Sequence, residues 1–132
     1  MIMGLFGIFG SKDPSEKKEK KELPWLRLAR MDQLDELVEI SKTRPVVIFK
    51  HSTRCGISRM VLRQFENNLD LPPDSIRLYY LDLLSFRDIS DEIAVRFQVL
   101  HQSPQLIILQ NGIAVHHSSH HGIDAGIISR FV

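Results

Sequence analysis

A single cysteine among 132 residues is the first place to look for chemistry. Cys55 lies in the stretch HSTRCGISR, next to Ser52, Thr53 and Arg54 rather than among apolar side chains. Most lone intracellular cysteines are buried small hydrophobes, and so polar a setting argues against that role here. One thiol cannot close a disulfide within its own chain, so any disulfide at Cys55 joins it to another molecule. Ser58 stands three residues on, where a CxxC redox site would carry its resolving thiol. Serine cannot take that part, so a mixed disulfide at Cys55 must wait for an external thiol, which defines a monothiol mechanism. Arg54 is a cationic neighbour, His51 is a second candidate cation, and Gly56 leaves a partner's approach unobstructed.

The elements that must position this thiol follow from hydrophobic periodicity. The run Val46, Val47, Ile48, Phe49 is apolar on both faces, so it predicts a strand lying centrally in a sheet with helices above and below. After Cys55, the spacing of Ile57, Val61 and Phe65 predicts a helix that stops before Leu71-Pro72-Pro73, where proline forbids continuation. Cys55 therefore sits at a junction of strand end and helix start, which is where open α/β sheets bind ligands. The unpaired N–H groups and dipole of a first helical turn favour a thiolate, the attacking form of cysteine.

Upstream, Trp25 to Leu28 predicts a short strand. Asp32, with Asp35 three residues on, is the expected cap of a helix with the stripe Leu34, Leu37, Val38 that ends near Lys42. Downstream, Ile76 to Leu83 predicts a strand, and Ser85 or Asp88 is expected to cap a helix burying Ile89, Ile93 and Phe97. Leu106 to Leu109 predicts a second doubly buried strand. Asn111-Gly112 predicts a hairpin, with Ile113 to Val115 returning antiparallel and a short closing helix over 124–132. The order β-α-β-α-β-α-β-β-α fits an α/β thioredoxin-like fold with a mixed sheet of four or five strands flanked by helices. In that fold a cis-proline stands opposite the reactive cysteine, and Ser103-Pro104, just before the buried strand at Leu106, is the matching position. A proline there is hard to place in a central strand otherwise.

With Cys55 and Pro104 placed, the chain from about Trp25 to Phe131 resembles the YtxJ-type monothiol bacilliredoxins, the bacillithiol system redox-active proteins. The matching pieces are VVIFKHSTRCGIS, ISDEIAVRFQVLHQSPQLIIL and VHHSSHHGI. The resemblance implies a thioredoxin fold and removal of bacillithiol from mixed disulfides on cytosolic proteins, with bacillithiol as small-thiol co-substrate and no metal. It implies Cys55 as nucleophile, Pro104 as the cis-proline, and Ser119-His120 as a recurring Ser-His pair. Thr53, Arg54, Gly56, Ser58, Ser103, Pro104 and His120 are the expected substrate-contacting residues. The chain departs from the family in carrying Gly56 where proline or another small residue is usual, and histidines at His116 and His121 where aromatics are usual.

Composition narrows the partners. Lys and Arg number 17 against 16 Asp and Glu, a net charge of +1 that supplies no long-range field toward nucleic acid or a membrane surface. A lone cysteine suits a reducing cytoplasm. The opening MIMGLFGIFG is too short to span a bilayer and lacks the features of a signal peptide or a lipid anchor, so stable membrane insertion is not expected. Residues 11–22, SKDPSEKKEKKE, have almost nothing to bury, so 1–22 is expected to be a disordered tail and 23–132 the folded domain.

Three other readings compete. An arsenate-reductase-like or Spx-like protein would share the thiol followed by Ser58-Arg59, but an oxyanion clamp of the Arg-x-Pro kind is replaced here by His101, Gln102 and Ser103 ahead of Pro104. A non-catalytic module could hold metal through His116, His117, His120 and His121, although His116 and His117 point to opposite faces of an extended segment. A redox-inactive interaction domain on the same fold is the third.

Overall fold

The computed structural model describes residues 23–132 apart from Pro73. The tail read over 1–22 and the second proline of the Pro72-Pro73 stop lie outside these residues.

Among the described residues five strands and three α-helices alternate: β1 (Leu26–Arg27), α1 (Gln33–Ile40), β2 (Val46–His51), α2 (Gly56–Asn68), β3 (Arg77–Asp82), α3 (Arg87–Phe97), β4 (Gln105–Gln110) and β5 (Ile113–Ser119). Two 3-10 segments, His120–Gly122 and Ala125–Phe131, follow. The sheet order is β1-β3-β2-β4-β5. β2 runs parallel to β3 and antiparallel to β4, so the sheet is mixed and its two most apolar strands lie inside it. Alternate residues of β2 serve separate cores. Val46 and Ile48 pack with Leu34 and Leu37 of α1 and with Ile89, Ile93 and Phe97 of α3. Val47 and Phe49 pack with Val61 and Phe65 of α2 and with Ala125 and Ile128 of the C-terminal 3-10 segment.

Several expected boundaries shift, each for a local reason. β1 is two residues rather than four. Asp32 holds the N-cap position of α1 without a side-chain capping bond, because its carboxylate accepts from Arg30 Nε at 3.0 Å. The helix start is fixed by Gln33 instead: its Oε1 accepts from the Ala29 and Arg30 N–H groups at 2.7 and 2.8 Å, and its Nε2 donates to the Arg27 carbonyl at 3.0 Å. α1 ends at Ile40, short of Lys42, where the Ser41 hydroxyl turns back to the Val38 carbonyl. Neither Ser85 nor Asp88 caps α3, whose N-cap is Phe86. Ser85 donates to Asp82 Oδ2 at 3.0 Å, and Asp88 accepts from the Ile89 N–H at 2.8 Å. The closing helix is 3-10 over Ala125–Phe131, with Asp124 accepting from the Gly126 N–H.

At the end of the sheet away from Cys55, Asn111 and Gly112 adopt φ of 53° and 75°. Two successive left-handed residues make the tight turn whose twist suits a two-residue hairpin. Ser41 holds that turn to the end of α1: its carbonyl accepts from the Asn111 N–H at 2.8 Å, and its hydroxyl oxygen accepts from the Gly112 N–H at 2.7 Å.

Candidate functional site

The site is built where the polarity of the strands brings four loops together. β2 and β3 end on the same edge of the sheet, and β4, running the other way, begins there, with Gln105 opposite Lys50. Cys55 is the N-cap residue of α2, in extended backbone conformation (φ −103°, ψ 121°), and is half-buried. Its N–H donates to the Ser52 carbonyl at 3.1 Å, which closes the turn Ser52–Cys55 between strand and helix. Thr53, Arg54 and Gly56 around it are exposed.

The Ser103-Pro104 peptide bond is cis, as the sequence suggested. Pro104 is buried at the head of β4, and its carbonyl accepts from the His120 N–H at 3.1 Å. β5 runs to Ser119, four residues beyond Val115, with Ser119 paired to Gln105. That extension carries the Ser119-His120 pair to the cis-proline, and α2 packs against the His120–Gly122 turn. The fold thus gathers Pro104 and His120 at the end of the sheet where α2 and Cys55 begin. Ser103 Oγ and Gln105 Oε1, on either side of Pro104 in the chain, and Ser118 Oγ, on the residue paired with Leu106, are buried without a hydrogen-bond partner among the described residues.

Ser58 is where the structure departs most from expectation. Its side chain is fully buried (0% exposed), so it offers no surface for direct contact with a substrate. Its Oγ shares a 2.7 Å hydrogen bond with His51 Nδ1 and accepts from the Ser52 N–H at 3.1 Å. The residue at the resolving position therefore ties the end of β2 to the first turn of α2. His51 is likewise not the second cation expected beside the thiol. It is 3% exposed, and burial pushes its pKa below the usual histidine range. Asp82 opposes that shift and Arg59 adds to it.

Arg59 was not among the expected site residues. Its Nη1 donates to the Thr53 carbonyl at 3.1 Å, and its Nη2 lies 3.8 Å from where a Cβ on Gly56 would sit. The guanidinium thus spans both sides of the thiol's turn. The sequence signal was its i+4 spacing from Cys55, which puts it one helical turn along the same face.

The four histidines do not converge. His116 and His117 alternate faces of β5, His116 lies against Phe131 with ring centroids 6.0 Å apart, and His120 and His121 are exposed in the 3-10 turn. Among the described residues no three His, Cys, Asp or Glu side chains gather into a metal-holding group. No helix among them is long and apolar enough to cross a membrane.

Comparison with known proteins agrees with this geometry. A solved structure described as a candidate oxidoreductase with a thioredoxin fold is 31% identical, with a TM-score of 0.68 over 80% of this chain and 91% of the other. The thioredoxin of Malassezia sympodialis (20% identical, TM-score 0.62, 84% and 88% covered) shows the same fold. So does the thioredoxin of Fasciola hepatica (21%, TM-score 0.57, 79% and 92%). The profile of the family described as monothiol bacilliredoxin BrxC matches residues 26–128. By fold, by its lone thiol and by that match, the chain belongs to the monothiol bacilliredoxin family, among the thioredoxin-like oxidoreductases.

Proposed function

We propose that this chain removes bacillithiol from mixed disulfides on cytoplasmic proteins, using Cys55 as the only redox group. The observation that carries the reading is the position of the chain's one thiol: half-buried rather than sealed, at the start of α2, with a serine that cannot form a disulfide three residues on.

The Cys55 thiolate attacks the bacillithiol sulfur of the protein mixed disulfide. A new S–S bond forms to Cys55, the old one breaks, and the protein's sulfur leaves with the electron pair and takes a proton from water. Cys55 then holds the bacillithiol until a second small thiol attacks the bacillithiol sulfur, carries it away as a small disulfide and releases Cys55 as the thiolate. Thr53, Arg54, Gly56 and His120 are the exposed residues that meet the incoming disulfide, with half-buried Ser103 and buried Pro104 shaping the backbone behind them. Ser58 acts from beneath by fixing the turn. No metal takes part.

The test is to incubate the reduced protein separately with oxidised bacillithiol and oxidised glutathione and follow intact mass. A bacillithiol adduct that disappears in Cys55→Ser is the expected result, followed by release of bacillithiol from a modified protein thiol in the presence of the parent chain. Labelling by glutathione as fast as or faster than by bacillithiol would overturn the choice of small thiol.

A further inference from the structure

Along α2, immediately after the thiol, runs an open groove of about 410 Å³ lined by Gly56, Arg59, Met60, Arg63, Gln64 and Asn67. That volume lies in the range that small ligands occupy. Its residues recur at helical spacing on one exposed face, so the groove begins at Gly56, next to Cys55, and leads away from it. The charge on this face is uncompensated. Arg63 makes no ion pair or hydrogen bond among the described residues, and Arg59 spends only Nη1, on the Thr53 carbonyl. The sole carboxylate of α2, Glu66, is turned away to accept from Trp25 Nε1 at 2.8 Å. Arg30, by contrast, pairs with Asp32 and Glu36, and Arg96 with Asp35 and Glu92, while Arg54, Arg87 and Arg130 are exposed without an ion pair among the described residues but do not line this groove.

We infer that this groove is the subsite for the body of the small thiol, and that it selects a carboxylate-bearing one through Arg59 and Arg63. The inference rests on the exchange reading of Cys55 and adds a specificity to it. A disulfide whose sulfur meets Cys55 has its remaining atoms placed beside Gly56, where the absence of a side chain leaves a passage into the groove. A carboxylate carried there meets two guanidinium groups with free N–H donors, the geometry that Arg uses for carboxylates. Gln64 and Asn67 supply neutral hydrogen-bonding groups farther along. Arg59 is doubly placed, because the same side chain borders the turn that holds the thiol.

The experiment measures the rate of mixed-disulfide formation at Cys55, by intact mass, with three small symmetrical disulfides of different charge. These are dithiodiglycolate (anionic), hydroxyethyl disulfide (neutral) and cystamine (cationic). Rates are expressed relative to the neutral probe within each protein, so any change in the thiol's own reactivity cancels. The parent chain is expected to prefer the anionic over the cationic probe by about tenfold at low salt, the effect of two partly screened charge contacts. The preference should shrink as salt is raised. In the double variant Arg59→Gln, Arg63→Gln it should fall to within about twofold, while Arg59→Lys, Arg63→Lys should keep most of it. Equal relative rates for all three probes in the parent, or a preference that survives in the glutamine variant, would overturn the subsite and leave the exchange reading intact. No adduct from any disulfide, bacillithiol included, would overturn the exchange reading and the subsite with it.

Discussion

β2 closes on two neighbouring polar residues that the pleat sends to opposite faces of the sheet, and the two are treated very differently. His51, on the α2 face, shares its hydrogen bond with the buried Ser58 hydroxyl and lies against Tyr80 with ring centroids 5.6 Å apart. Lys50, on the face of Val46 and Ile48, is fully buried and has no carboxylate partner among the described residues. Its Nζ meets His101 Nδ1 at 3.0 Å, and that same nitrogen lies 3.5 Å from Ser90 Oγ. Burial pushes the Lys50 pKa from 10.5 to about 8, with Asp91 acting in the opposite direction. The histidine is paired and kept neutral, so it can hold the thiol's helix in place without charge of its own. The lysine carries a desolvation cost that Asp91 and the contact with His101 offset only in part.

Exchanging the costly member should have the largest effect. Lys50→Met keeps the apolar stem and removes the amine, and at pH 7 it is expected to stabilise the fold by up to about 3 kcal/mol, the free-energy equivalent of the pKa displacement. Urea unfolding of the two proteins measures this, and a loss of stability would show that the bond to His101 outweighs the desolvation. The parent should also gain stability as pH rises from about 8 to 10.5, because in that window the unfolded chain still binds the proton that the folded chain has released. Below pH 8 both states hold it, so the penalty is constant. Lys50→Met should flatten that rise.

On the other face, Ser58→Ala leaves the Ser52 N–H and His51 Nδ1 without their shared oxygen in a buried place, at a cost of about 1–3 kcal/mol. Because Ser52 opens the turn that Cys55 closes, the variant should also exchange more slowly with small disulfides, read as the rate of mass adduct formation. An unchanged rate with lowered stability would confine Ser58 to a structural part. The smallest effect is the titration of His51 itself. Its folded pKa lies below 6.5, so acidification protonates the unfolded chain first, and stability falls as pH drops from above 6.5 through the folded value. An NMR titration of the ring should show the depressed midpoint, and His51→Asn should remove this part of the acid sensitivity.

The sequence carried most of the frame, and its failures share a cause. β2 and β4 were legible because both faces are apolar, and Pro104 because a proline at the head of a central strand has few other uses. The apolar run ends at Phe49, and Lys50 and His51 are types that usually face solvent, yet both continue the strand in burial. The apolar spacing of α2 picks out Ile57, Val61 and Phe65, whereas Ile57 is 50% exposed and Ser58 takes the inner place with Val61 and Phe65. Both spacings are helical, and the polar one lies inside because the first turn of α2 meets the hydrogen-bonding end of β2. Periodicity reports where apolar groups go. It says nothing of polar groups that find each other in the interior.

The hydrogen bonds of Ser58 also bear on how this chain could acquire a second thiol. Replacing that serine by cysteine would supply the missing sulfur of a two-cysteine site, but it would put a weak hydrogen-bonding group between His51 and the Ser52 amide. The gain of an internal disulfide would come with a loosened support for the turn that carries Cys55. A single substitution is thus a poor route from one chemistry to the other, and the dependence on an outside thiol is held in place by the interior of the protein as much as by the presence of one cysteine.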